Sequence, residues 1–180
     1  DGAITQDDNI YLGQPYPVTT AGLNITMNYK GFDLYLAANG SFGMQAARCY
    51  RPHDRYNYNY EKTALGRWHG EGTSNTIPRA TQGTEANGNY LYMSQIFLEN
   101  ADFVRLNNIT FGYDFARLFK NKTVGQLRAF VTVQNAFVFT KYTGMDPEVG
   151  YGGGASWSSG VDLGYYPKSR TILFGVSVKF

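Results

Sequence analysis

The sequence lacks most of what enzymes and soluble secreted domains are built with. A single cysteine, Cys49, rules out an internal disulfide and leaves the redox compartment unread. No apolar run approaches the roughly 18 residues of a membrane helix, so any crossing of a bilayer has to be made by strands. No run of Lys or Arg exceeds two and the formal net charge of +2 is too small to argue for nucleic acid, so no nucleic-acid partner is expected. Metal and nucleophile motifs are missing too: there is no CxxC, HExxH or GxSxG. His53, His69 and Cys49 have no ligand-type spacing, and His53-Asp54 have no nucleophile in an elbow beside them. Gly152-Gly153-Gly154 is followed by neither Lys-Ser/Thr nor a helix, so it reads as flexible loop and not as a phosphate cradle. The chain is expected to be no enzyme, with no catalytic residue, no metal and no cofactor. It opens on Asp1-Gly2 with no basic or apolar leader, and is expected to be processed, truncated or excised from something longer.

What is present is aromatic and glycine-rich. There are 15 Tyr and 12 Phe against 2 Trp, together with 21 Gly. That balance fits a β-rich protein with tight turns and aromatic belts. The clearest strand is the last. Ile172, Phe174, Val176, Val178 and Phe180 fall at every second position, with Thr171, Leu173, Gly175, Ser177 and Lys179 between them, so one face is wholly apolar. The same pattern fits the core face of a soluble sandwich and the outer face of a membrane barrel strand.

Earlier strands repeat it. Ala21, Leu23, Ile25, Met27 and Tyr29 share a face within 18–29; Lys30-Gly31 is a minimal turn; Phe32, Leu34, Leu36, Ala38 and Phe42 continue the pattern. A third strand spans Phe103 to Phe115, with Ile109, Phe111, Tyr113 and Phe115 in phase and a bulge expected near Asn107. A fourth runs from Gln126 to Thr140, with a phase break at Asn135-Ala136. Between them, 43–102 and 141–169 read as long loops, the first with some strand at Asn89 to Leu98. Lys30-Gly31 and 116–125 are short. Strict alternation of short and long connections between strands of about ten residues is the geometry of an up-and-down membrane barrel. Five or six strands cannot close one, so the chain is expected to be the carboxy-terminal part of a larger barrel.

Several segments then resemble one family in order and spacing. They are Tyr29-Lys30-Gly31-Phe32-Asp33-Leu34, Phe103-Val104-Arg105-Leu106-Asn107-Asn108-Ile109-Thr110-Phe111-Gly112-Tyr113, the run from Gln134 to Val149, Tyr166-Pro167, Arg170-Thr171 and Phe180. Together they resemble the late barrel of SusC/RagA-type TonB-dependent outer-membrane transporters across nearly the whole chain. The resemblance implies an all-β fold: the C-terminal strands of a large antiparallel transmembrane barrel of about 22 strands, with long extracellular loops and short periplasmic turns. It implies a plug domain and earlier strands outside residues 1–180. It also implies a SusD-like surface lipoprotein and the TonB complex as partners, beside outer-membrane lipid and the rest of the same barrel. The cargo would be an oligosaccharide or a peptide, and the carboxy-terminus would be periplasmic. A surface adhesin or a soluble glycan-binding β-sandwich is the reading from a different class.

Tyr50, Tyr56, Tyr58, Tyr60 and Trp68, with Tyr151 and Trp157, are the candidate ligand or partner contacts, because their flat apolar faces and polar edges suit sugars, peptide side chains or a protein lid. Packing of loop against loop explains the same residues. Ile172, Phe174, Val176, Val178 and Phe180 are the candidate barrel-closing, lipid-facing set. Asp7-Asp8 reads as a solvated turn, the alternative being the tail of a calcium loop. Asp146-Pro147-Glu148 reads as a loop-ordering turn.

Overall fold

A computed structural model describes residues 5–49, 62–79, 94–118, 125–148 and 160–179. Its main feature is a five-stranded antiparallel sheet in the order β1-β2-β5-β6-β8. The strands are β1 (Thr19–Tyr29), β2 (Phe32–Phe42), β5 (Phe103–Asp114), β6 (Gln126–Thr140) and β8 (Thr171–Lys179). Three short strands, β3 (Gln45–Arg48), β4 (Leu98–Asn100) and β7 (Val161–Asp162), form a second sheet in the order β4-β3-β7.

The β1–β2 hairpin follows from its turn. Lys30 (φ 47°) and Gly31 (φ 94°) are both left-handed, as in a type I′ turn, whose twist matches that of the flanking strands. Register then runs unbroken from Tyr29 opposite Phe32 to Thr19 opposite Phe42. The bulge expected near Asn107 is there. Ala37 and Ala38 are adjacent, yet pair with Asn108 and Leu106, leaving Asn107 as the extra residue. On its other side, Asn107 lies across from two β6 residues, Asn135 and Ala136, because Leu106 pairs with Phe137 and Asn108 with Gln134. Asn135 takes φ 51° there, a conformation Asn tolerates, and this returns Phe137 and Phe139 to the apolar face.

Cross-strand register puts all the in-phase apolar residues on one face. One row reads Met27, Leu34, Phe111, Val131, Phe174, and the next Ile25, Leu36, Ile109, Val133, Ile172. Much of this face is bare: Leu23, Met27, Phe111, Phe137 and Phe174 are all exposed, Phe174 by 83%. A soluble sandwich would lay a second sheet on it; among the described residues none does. The opposite face is polar, with Asn24, Thr26, Asp33, Asn39, Thr110, Arg128 and Thr132.

The long connections are more ordered than the sequence suggests. The segment 43–102 contributes β3 and β4, and 141–170 contributes β7. In the expected strand at Asn89 to Leu98, Gln95–Phe97 is a 3-10 turn and the strand starts at Leu98; residues 89–93 lie outside the described residues. Strands this short carry too few residues to show a period. The small core of Met44, Ala46, Ala101, Phe103 and Tyr142 lies where these pieces meet the sheet end.

Candidate functional site

Both long connections leave the same end of the large sheet, the end marked by Phe42, Phe103 and Thr140. Charge ties them to it. Arg105, third residue of β5 and only 2% exposed, pairs through one guanidinium nitrogen with Asp146 Oδ1 at 2.6 Å and Glu148 Oε2 at 2.9 Å. Glu148 also accepts from Lys168 Nζ at 2.7 Å, so the stretch before β8 joins the cluster. Two cations against two carboxylates leave a neutral group, the arrangement that makes burial of charge tolerable. Asp146-Pro147-Glu148 is thus the loop-ordering turn its sequence suggests, and Asp146 Oδ1 also accepts from the Glu148 N–H at 3.0 Å.

A second set links the two connections to each other. Glu99 accepts from the Thr143 backbone and hydroxyl, both at 2.8 Å, and pairs with Arg48 at 3.2 Å. Tyr142 donates its hydroxyl to Asp162, which is 1% exposed. Within the first connection, Asp102 Oδ1 ties its two ends together, accepting from Gly43 N–H at 2.6 Å and Met44 N–H at 3.1 Å. Phe103 and Arg105, which carry the sheet's side of these contacts, belong to the polar face, so the loop base leans over that side.

The polar face has its own bridge. Arg128 donates through Nε to Asp33 Oδ1 at 2.7 Å, and a second guanidinium nitrogen reaches Asp33 Oδ2. The pair spans β5, which lies between their strands, and passes over Gly112. A Cβ at Gly112 would lie 2.5 Å from Asp33 Oδ1 and 2.7 Å from Arg128 Nε. Gly175 is used likewise: the Phe130 ring lies over it, 2.2 Å from where a Cβ would be. Thr110 and Thr132 hydroxyls share a hydrogen bond of 2.8 Å.

Of the aromatic candidates, Trp68 alone falls among the described residues. It is 41% exposed and lines an open cavity of about 530 Å³ with Ser74, Asn75, Thr76, Ile77 and Ile96 among others. Tyr50, Tyr56, Tyr58, Tyr60, Tyr151 and Trp157 lie outside the described residues, as do His53 and Phe180. Ile172, Phe174, Val176 and Val178 stand on the bare apolar face, exposed by 56%, 83%, 68% and 47%. Rings gather at that face's two ends. Phe32 lies 4.4 Å from Tyr113 and Tyr113 4.9 Å from Phe115 at the short-turn end; Phe137 lies 6.4 Å from Phe139 at the other.

Among the described residues, the candidates for chemistry are otherwise engaged. His69 Nδ1 contacts its own loop at the Arg67 carbonyl, 3.0 Å away. Burial, and then the charge of Asp162, push the Cys49 thiol up, which makes it a poor nucleophile. Among the described residues no three His, Cys, Asp or Glu could share a metal. Asp8 instead closes a capping box with Thr5, accepting from its N–H at 2.7 Å. The ion-paired roles of Arg105 and Glu99 were not expected. Their signal in the sequence was a charge inside or beside a strand pattern, with no partner visible nearby.

No family model matches the chain. It is 34% identical over 184 residues to the TonB-dependent receptor SusC of Bacteroides thetaiotaomicron, covering 100% of this chain and 17% of that protein. It is 32% identical over 198 residues to the TonB-dependent receptor P3 of Formosa agariphila, covering 100% of this chain and 18% of that one. The chain therefore spans about a sixth of the length of these curated relatives. Among solved structures, it superposes on the RagAB peptide importer in its closed-closed state with a TM-score of 0.70 at 23% identity, covering 99% of this chain and 20% of that one. For the open-open state the TM-score is 0.67 at 22% identity, over 91% of this chain and 17% of that one. These relatives are receptors and importers, and the five-stranded sheet is a piece of their barrel fold. Sequence and fold agree on one family: over its whole length the chain matches the SusC/RagA-type TonB-dependent receptors.

Proposed function

We propose that residues 1–180 are the carboxy-terminal barrel segment of a SusC-like transporter that imports oligosaccharides or peptides across the bacterial outer membrane, driven through TonB. In this reading the plug domain and the earlier strands lie outside this chain. A SusD-like lipoprotein covers the long-loop end, TonB is engaged through other parts of the protein, and the carboxy-terminus is periplasmic. Ile172, Phe174, Val176, Val178 and Phe180 face lipid beside the seam where β8 meets a first strand.

One observation carries the reading: an exposed apolar face on five antiparallel strands, bounded by rings. Val104, opposite Phe139, and Tyr113 are nine residues apart on β5. That is about 30 Å along a strand, or about 21–25 Å along the membrane normal at a tilt of 35–45°, close to the apolar band of outer-membrane barrels. The polar face, with the Asp33–Arg128 bridge, then lines the interior. Fractionation of cells tests this directly. The protein is expected in detergent-extracted outer membrane, and its recovery in salt-washed soluble material would overturn the proposal.

A further inference from the structure

The cavity beside Trp68 is walled by a loop that bonds to itself. The Trp68 N–H donates to the Ile77 carbonyl at 2.9 Å. Ser74 Oγ accepts from the Ile77 N–H at 3.1 Å, and Thr73 Oγ1 accepts from the His69 N–H at 3.0 Å while donating to the Gly70 carbonyl at 2.6 Å. The indole is therefore carried on a preformed wall, which lowers the ordering cost of binding. Ile77 and Ile96 continue the apolar surface, and Ser74, Asn75 and Thr76 add hydroxyl and amide groups.

Resting on the transporter reading, we infer that this cavity is a subsite for a neutral sugar ring of an oligosaccharide, with Trp68 as its stacking platform. A pyranose has an apolar C–H face that lies flat on an indole, and a rim of hydroxyls that both donate and accept, as Ser, Thr and Asn side chains do. A short peptide carries a terminal ammonium and a terminal carboxylate, and these need an acid and an available cation. Among the described residues the lining has no Asp or Glu, and its one cation, Arg79, is already engaged by a neighbour. A peptide backbone would look for unpaired N–H and C=O groups, but the Trp68 N–H and the Ile77 carbonyl are used on each other and the Ile77 N–H on Ser74 Oγ.

The test is calorimetry on the intact transporter purified in detergent. The probes are neutral hexasaccharides (α-1,4-, β-1,4- and β-1,3-linked glucose, and β-1,4-linked mannose) and, separately, a tryptic digest of casein. At least one hexasaccharide should bind, Trp68→Ala should weaken it by about tenfold, and Trp68→Phe should largely restore it. Binding of the digest alone, no binding of any hexasaccharide, or an unchanged affinity in Trp68→Ala each overturns the inference. So does a Trp68→Ala variant that loses only a co-purifying lipoprotein, since the indole would then serve a lid. Outer-membrane recovery of the same wild-type and variant proteins separates the two readings: membrane-bound protein that ignores sugars sinks the subsite alone, and soluble protein sinks the transporter.

Discussion

Arg105 is the residue on which the long-loop end depends most. It is buried on a strand, and both its carboxylate partners come from a turn some forty residues further on. Removing the cation leaves Asp146, itself 8% exposed, without its pair. Arg105→Ala is therefore expected to cost about 3–5 kcal/mol at the loop base. Limited proteolysis of the intact protein should then cut within 141–170 at lower protease, with Arg105→Lys, which keeps a cation for the two carboxylates, recovering part of the protection. Cleavage identical to wild type would show that the cluster does not hold the loop. Gly112 is a second such position, for the opposite reason: it must stay empty. Gly112→Val should cost about 1–3 kcal/mol by splitting the Asp33–Arg128 bridge. Gly22, with nothing within 4 Å of its would-be Cβ, supplies the control. A drop in unfolding temperature for Gly112→Val and not for Gly22→Val is the expected result.

At the scale of elements, β8 joins sequence pattern to function. Its pairing with β6 from Gln126–Lys179 to Gln134–Thr171 aligns Phe174 with Val131 and Val176 with Ala129, midway along the apolar face. Arg at Phe174 or Val176 is expected to destabilise a lipid-facing strand by about 2–4 kcal/mol. The readout is heat-modifiable migration on gels, where the variant should lose its compact form at lower temperature; migration equal to wild type would argue that this face meets something other than lipid. The bulge at Asn107 and the left-handed Asn135 lie at the long-loop ends of β5 and β6, where Asn107 Nδ2 donates to Asn39 Oδ1 at 2.7 Å and Asn135 Nδ2 to the Ser169 carbonyl at 2.9 Å.

For the whole molecule, the sheet has two unlike ends. One carries the Lys30-Gly31 turn and the connection after Asp114; the other gathers β3, β4 and β7 into a base that leans over the polar face. In an outer-membrane barrel the long loops face outward and the short turns inward. A peptide tag placed at Gly72, in an exposed loop with open space around it, should then bind antibody on intact cells. One placed between Lys30 and Gly31 should bind only after the outer membrane is permeabilised. The reverse pattern would invert the topology.

Pattern alone was enough for the five long strands, the minimal turn, the bulge near Asn107 and the side of each strand that is apolar. These are local properties: a period of two, a Gly where φ must be positive, and a phase slip that only an extra residue explains. The alternation of short and long connections likewise follows from spacing along the chain. Residue register and side-chain partners do not. That Leu34 falls opposite Phe111, that Arg105 waits for Asp146, that Gly112 exists to let Arg128 reach Asp33, and that Trp68 closes a wall with Ile77 are facts of pairing in space. They depend on contacts between distant residues, which no local periodicity encodes, and the tertiary structure decided them.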